Sequence, residues 1–294
     1  MMNKLIQTKC LLCWFSIVYA LTLLPGCNMQ SYTSPDGYNL ERPQKSELGK
    51  VLNEISGIAY NLNDSSLLAI SDSKKKVLEI SLTKQKLRDF TAEVIGPDQD
   101  IEDIVNMEDV LYLLSSKGLI YEVPVNDADT SNVIPHPFWS EGKNDFETLY
   151  FDPEANGLIM ICKSCESDDG QQRRSAYRFD LQTKTFDTTE YFSISTTEVK
   201  NMLKDEDAKF DPSAAAIHPI SKQLFILSSA GNLLVIADTK GKPLEVYRLN
   251  PDQHPQAEGI AFAPNGDMYI TNEGKYGSPT LQVFKYQPVK KNRP

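Results

Sequence analysis

The sequence predicts an all-β fold: a five-bladed β-propeller built from four-stranded antiparallel blades. Three observations carry this. One phrase, an acidic or amide residue followed by a Ser or Glu anchor and a small apolar run, is written five times. The copies read EISGIAY from Glu54, DIEDIV from Asp100, DFETLYF from Asp145, DPSAAAI from Asp211 and QAEGIAF from Gln256. Their anchors, Ser56, Glu102, Glu147, Ser213 and Glu258, stand 46, 45, 66 and 45 residues apart, a period that marks a repeat architecture. Each copy is also followed by further short apolar runs separated by turn residues.

Taken in order along each repeat, the phrase itself reads as the first strand. The second is LLAISDS (67–73), LYLLSSK (111–117), LIMICKS (158–164), LFILSSA (224–230) or MYITNEG (268–274). A third follows as VLEISL, LIYEVPV, AYRFDL, LLVIADT or LQVFKY, and a weaker fourth as LRDFTAEV, TTEYFSI or PLEVYRL. Runs this short, rich in Ile, Leu, Val, Tyr and Phe and bounded by Asn, Asp, Gly, Ser and Pro, are strands. Four antiparallel strands in about 45 residues make a propeller blade. Helical solenoids share the period, but the apolar residues here do not recur at helical spacing.

The last repeat runs out after three strands. The segment GYNLERP (37–43), ahead of the first repeat, is the expected donor of the fourth, joining first and last blades and covering an open edge. The propeller is therefore expected to span residues 38–289. The long 66-residue interval implies an insertion at about 195–210, where Ser195 and Glu198 form a capping box ahead of a short helix reaching about Lys204. A second polar stretch, CESDDGQQRRSA (165–176), lengthens a turn of the third blade, and loops of this kind carry function more often than strands do.

Residues 1–26 read as a signal peptide. Lys4 and Lys9 precede the apolar core CLLCWFSIVYALTLL (10–24), too short to span a bilayer comfortably. The core ends in Leu24-Pro25-Gly26-Cys27, which resembles a bacterial lipobox. Cleavage there would leave Cys27 to carry lipid and residues 27–37 to act as a polar tether, so the expected location is the cell envelope, on the periplasmic or surface face of a membrane. Removal of the leader leaves Cys162 and Cys165 as an even pair in a disulfide-permissive compartment. A local disulfide, a redox pair, a zinc site and a reduced pair are the readings open to CKSC. Zinc lacks two further ligands, and a redox pair lacks its βα setting.

The formal charge of −10 becomes more negative once the two leader lysines are gone. That balance argues against nucleic acid and anionic headgroups as partners. It suits a cation or a basic ligand, or simply a well-solvated surface. Blade geometry says where such a ligand would sit, because the start of each first strand and the end of each second strand share one face of the ring. Residues two apart on a strand point the same way. This places Glu54, Asp100, Glu102, Asp145, Glu147, Asp211 and Glu258 at one channel mouth, with Asp72, Lys163 and Glu273 from the second strands. Crowded carboxylates must bind a cation, pair with bases, share protons or turn to water. Calcium or magnesium is the ion such oxygens suit, with calcium to be tested first and Glu102, Glu147 and Glu258 as the ligands. The bland alternative is that the acids lock one blade to the next through backbone donors.

No GxSxG elbow, P-loop or GxGxxG is present. His136, His218 and His254 each adjoin a proline and read as turn residues, with His254 nearest the acidic mouth. The phrases EISGIAY, LLAISDS, NDFETLYFD, AEGIAFAPNGDMYITNEG and LQVFKY resemble those of the SdiA-regulated family of bacterial propeller proteins, over about residues 38–287. The resemblance implies a five-bladed propeller in an exported, often membrane-anchored protein. It implies no activity and no catalytic residues. Two functions follow as expectations: a lipid-anchored protein that binds a small molecule or a protein at its acidic mouth, or a calcium-assisted hydrolase of a phosphate ester or lactone. A phosphate enzyme needs bases beside its metal acids, and the mouth offers mainly Lys163, which favours binding over catalysis.

Overall fold

The apolar runs of the repeat pair in sequence order into five small antiparallel sheets. The computed structural model describes residues 32–71, 76–84, 86–91, 100–125, 132–140, 142–275 and 277–288. The leader, Cys27 and Asp72 lie outside these residues.

Strand β1 is Gln44–Glu47. The first blade holds β2 (Ile55–Asn61), β3 (Ser66–Ser71), β4 (Leu78–Ser81) and β5 (Leu87–Asp89). The second holds β6 (Ile101–Met107), β7 (Val110–Ser115), β8 (Ile120–Pro124) and β9 (Ile134–His136). The third is β10 (Phe146–Asp152), β11 (Gly157–Cys162) and β12 (Arg173–Asp180). Its outer position is shared by β13 (Thr185–Phe186) and β14 (Phe192–Ser195), each paired with a different half of β12. The fourth is β15 (Ala214–Ile217), β16 (Leu224–Ser228), β17 (Leu233–Ala237) and β18 (Pro243–Arg248). The fifth is β19 (Ala257–Phe262), β20 (Met268–Asn272) and β21 (Thr280–Phe284), with β1 antiparallel to β21. The strand beside β21 is thus Gln44–Glu47 and not GYNLERP. Residues 37–43 make turns, anchored by the Tyr38 hydroxyl donating to the Gly266 carbonyl at 2.6 Å and by buried Leu40.

The inner strands β2, β6, β10, β15 and β19 neighbour one another in turn, and β19 lies beside β2. Each of five buried clusters is shared by two adjacent blades, as where Tyr150 and Ile159 of the third meet Ala215 and Leu233 of the fourth. Blade-on-blade packing buries both faces of the second strands, so β3, β11 and β16 are buried throughout and read as unbroken apolar runs.

A carboxylate does lock two blades, though it is not one of the anchors. Asp103, buried, accepts from its own neighbour Ile104 N at 2.8 Å and from Leu149 N of the next blade at 2.7 Å. Gly57 of the preceding blade makes room for it, since a Cβ there would come within 2.7 Å of the Asp103 Cα.

The insertion forms α1 (Thr196–Leu203), capped as its sequence directs, with the Ser195 hydroxyl accepting from Glu198 N at 3.2 Å. Lys204 closes it in the left-handed conformation, φ 53°.

His218 and His254 are buried rather than surface turn residues, and His254 stacks on Phe284 instead of facing the acidic mouth. Burial pushes both imidazoles down to about 4, helped by Lys222 for His218 and opposed by the Leu40 backbone for His254. The unfolded chain then takes up these protons first. The stability that the neutral rings contribute is complete above about pH 6.5 and is lost as pH falls through 4. Urea midpoints measured from pH 7 to 4 should fall less steeply for His254→Gln than for the wild type, by about 2 kcal/mol in total. Parallel curves would remove His254 from the acid response.

Candidate functional site

The anchors of the repeated phrase share a backbone irregularity. The ladder between first and second strand skips between Ile55 and Ile58, Ile101 and Asp103, Phe146 and Thr148, and Ala257 and Gly259. Ser56, Glu102, Glu147 and Glu258 fall in these gaps. In the fourth blade the Ser213 N–H donates to the Leu227 carbonyl although Ala214 is the ladder partner of Leu227. A bulge sets one residue out of the pleat and re-aims its side chain. The five anchors are all turned to the same place.

That place is a cavity of about 220 Å³ lined by Ser56, Asp100, Glu102, Glu147, Lys163, Ser213, Gln256, Glu258 and Glu273. The glycine after two anchors belongs to this arrangement. A Cβ on Gly259 would lie 2.3 Å from the Thr271 hydroxyl and 3.0 Å from Ile58, so the inner strands can approach only without one.

The structure therefore brings together Asp100, Glu102, Glu147, Lys163, Glu258 and Glu273. It leaves out Glu54, Asp145 and Asp211, whereas Asp100 and Gln256, at the same distance from their anchors, stay in the lining. Asp211 instead pairs with Arg174 at 2.5 Å, and the Asp145 carbonyl accepts from Lys163 N and Ser164 N at 2.9 and 3.2 Å. At other second-strand ends, the Ser115 and Ser228 hydroxyls accept from Leu119 N and Asp211 N, and the Asn272 amide donates to Thr280. Asp72 lies outside the described residues.

Five carboxylates face one ammonium in this chamber. Lys163 pairs with Glu147. Burial works against the Lys163 charge, but Glu147, Asp145 and Glu258 hold its pKa above the ordinary value. Burial pushes Glu147 up to about 7 even against Lys163, with Asp145 and Glu273 adding to the rise. Glu258 is pushed up to about 8 by burial, then by Glu147 and Glu273, against hydrogen bonds from Ser229 and Gln256. At neutral pH Glu258 mostly keeps its proton, so the crowd is relieved by protonation as well as by pairing. Among the described residues no group of three or more His, Cys, Asp or Glu is arranged to hold a metal ion. Glu102, Glu147 and Glu258 are thus not grouped as metal ligands among the described residues, and Glu147 is engaged by Lys163 instead.

Lys163 reaches the chamber from the CKSC tip, where Cys162 and Cys165 are joined by a disulfide. Both sulfurs are buried and sit over the Asp145 carbonyl.

Known structures share this architecture. The glutaminyl cyclase of Myxococcus xanthus superposes with a TM-score of 0.51 at 11% identity, covering 83% of this chain and 95% of that one. A luciferin-regenerating enzyme gives 0.50 at 12% identity, covering 84% and 98%. Identities this low show the fold alone. No curated protein sequence matches the chain. The model of the SdiA-regulated family matches residues 31–276.

Proposed function

The chain belongs to the SdiA-regulated family, and from that premise we propose that it is a binding protein whose acidic chamber receives the cationic group of a small organic ligand. The observation that carries this is the excess of carboxylates over ammonium around the 220 Å³ cavity. An ammonium or amidinium fits where a metal does not, because it accepts scattered carboxylates and needs no closed coordination shell. The chamber is mostly polar, and the Ser213 hydroxyl in it donates to the Ala257 carbonyl and not to a carboxylate, which favours binding over hydrolysis.

Calorimetric titration with propylamine tests the reading. Saturable binding is expected, tightening as pH rises from 6 to 9, because Glu147 and Glu258 ionise near 7 and 8 while the amine stays charged. Glu102→Gln should weaken it roughly tenfold, the scale of one charge-assisted hydrogen bond. No binding of propylamine, or tighter binding of calcium chloride than of the amine, would overturn it.

The second part of the proposal is location. The leader and the lipobox-like Leu24-Pro25-Gly26-Cys27 support an exported protein held to a membrane by lipid on Cys27. Labelled palmitate should enter the wild-type protein and not Cys27→Ser, which should leave the membrane fraction. Equal labelling of both would remove Cys27 as the attachment point.

A further inference from the structure

The acidic chamber has a counterpart at the other end of the inner strands. The residue four places after each anchor, Tyr60, Asn106, Phe151, Ile217 or Phe262, lines a second cavity of about 340 Å³. Four residues of strand put it roughly 13 Å from the chamber. The chamber is lined by five carboxylates and an ammonium, whereas among the described residues none that lines this funnel is charged. Its rim belongs to the turns that join first strands to second strands, through Leu62, Pro219 and Pro264. Leu62 and Ile220, the latter next to Pro219, are 56% and 51% exposed. Large aliphatic side chains held in solvent around an apolar mouth mark a surface that meets something apolar.

The N-terminal chain joins the propeller beside this rim. Gly266, whose carbonyl accepts from the Tyr38 hydroxyl, lies in the same turn as Pro264, and Gln287 N donates to the Gly37 carbonyl at 2.8 Å. A Cβ on Gly266 would lie 3.0 Å from the Ile220 side chain, so this turn and Ile220 are in contact. Cys27 and Gly37 are ten chain steps apart, a reach of no more than roughly 36 Å. Lipid on Cys27 would therefore keep the propeller close to a membrane, and the two ends of the inner strands offer that membrane different things. The chamber acids would lose water without gaining a partner. Leu62 and Ile220 gain by leaving water. The other turns on this side carry Asp64, Glu108, Asp109 and Glu154 against Lys222, so headgroups without net charge suit it better than anionic ones.

We propose that this apolar mouth is the membrane-facing end of the propeller. Leu62 and Ile220 enter a zwitterionic phospholipid surface, and the acidic chamber opens away from it. This rests on the lipid anchor proposed above and adds the orientation that the anchor leaves free. A tether holds a protein near a bilayer without choosing its face; a second, apolar contact makes the choice. The ligand of the chamber then arrives from the aqueous side.

The test places one fluorescent reporter at a time in the lipidated protein, with Trp139→Phe as background because Trp14 lies in the leader. Leu62→Trp probes the apolar rim. Lys117→Trp probes an exposed turn at the chamber end, where Ser116 N donates to the Asp100 carbonyl. Each protein is reconstituted into phosphatidylcholine vesicles that carry spin-labelled phosphatidylcholine. Emission of Leu62→Trp should shift to the blue and be quenched roughly twofold, as for a side chain about 5–10 Å into the headgroup boundary, while that of Lys117→Trp stays unchanged. Adding Ile220→Asp to Leu62→Trp should remove most of the quenching. Both rim positions are exposed, so unfolding midpoints should stay at the wild-type value. Equal quenching at the two positions, or none at either in vesicles that carry the protein on flotation, would overturn the orientation and leave the anchor standing. Protein that does not float with the vesicles would overturn both. Replacing part of the phosphatidylcholine by phosphatidylglycerol should weaken the Leu62→Trp signal, and a stronger signal would overturn the zwitterionic surface.

Discussion

Replacing Asp103 by alanine is expected to destabilise the propeller by about 3 kcal/mol or more, because two buried N–H groups lose their acceptor at once and each such loss costs about 1–3 kcal/mol. Its carboxyl receives Ile104 N within its own blade and Leu149 N from the next, so the loss falls on the seam between the second and third blades. Burial pushes this acid well above the usual carboxylate range, against the pull of both N–H donors. It is a fixed polar rivet between the two blades. Asparagine keeps one acceptor oxygen and should recover part of the loss. Urea unfolding of the three proteins measures the order directly. A wild-type midpoint in the alanine variant would show that the seam is held by the apolar cluster alone.

Glu258→Gln should have the opposite sign. Glu258 has a folded pKa of about 8 against an ordinary value of 4.5. A raised carboxyl binds its proton more tightly folded than unfolded, so its contribution is complete below about pH 4.5 and is lost as pH rises through 8. Glutamine cannot ionise. The variant should match the wild type at about pH 5 and exceed it by about 2 kcal/mol at pH 9, less than the full shift implies because part of the side chain meets water. The same substitution should weaken amine binding, since a carboxylate is lost from the chamber. A gain in stability paired with a loss of affinity is the mark of an acid kept for a ligand. If both proteins lose stability in parallel from pH 5 to 9, Glu258 is not the strained group.

The blade count was open to reading because a period of about 45 residues survives in the anchors and the apolar runs, and local strand signals agree with it. The chamber was legible only in part. Alternation along a strand placed Glu54, Asp100, Asp145 and Asp211 with their anchors, and of these four only Asp100 lines the chamber. The ladder skips at Ile101/Asp103 and its counterparts follow from the pairing of two strands, which one strand's letters do not record. Asp103 escaped notice for the same reason: with Glu102 taken as the anchor, its neighbour looked redundant, yet the two point to different surroundings. Hints existed in the small residue that follows Ser56 and Glu258, since Gly57 and Gly259 mark a close approach of inner strands. Gln172 and Thr196 lie in two stretches recognised as insertions, but nothing in the spacing of those stretches says that the two residues meet.

The bulge repeated in every blade has one more consequence. It separates the letters that shape the chamber from the letters that hold the sheets together. Ser and Glu already occupy equivalent seats around the ring without disturbing the ladders on either side. Selection can therefore redraft the chemistry of the mouth one seat at a time, leaving the wheel that carries it untouched, and relatives with this scaffold are free to diverge in what they hold long before they diverge in how they fold.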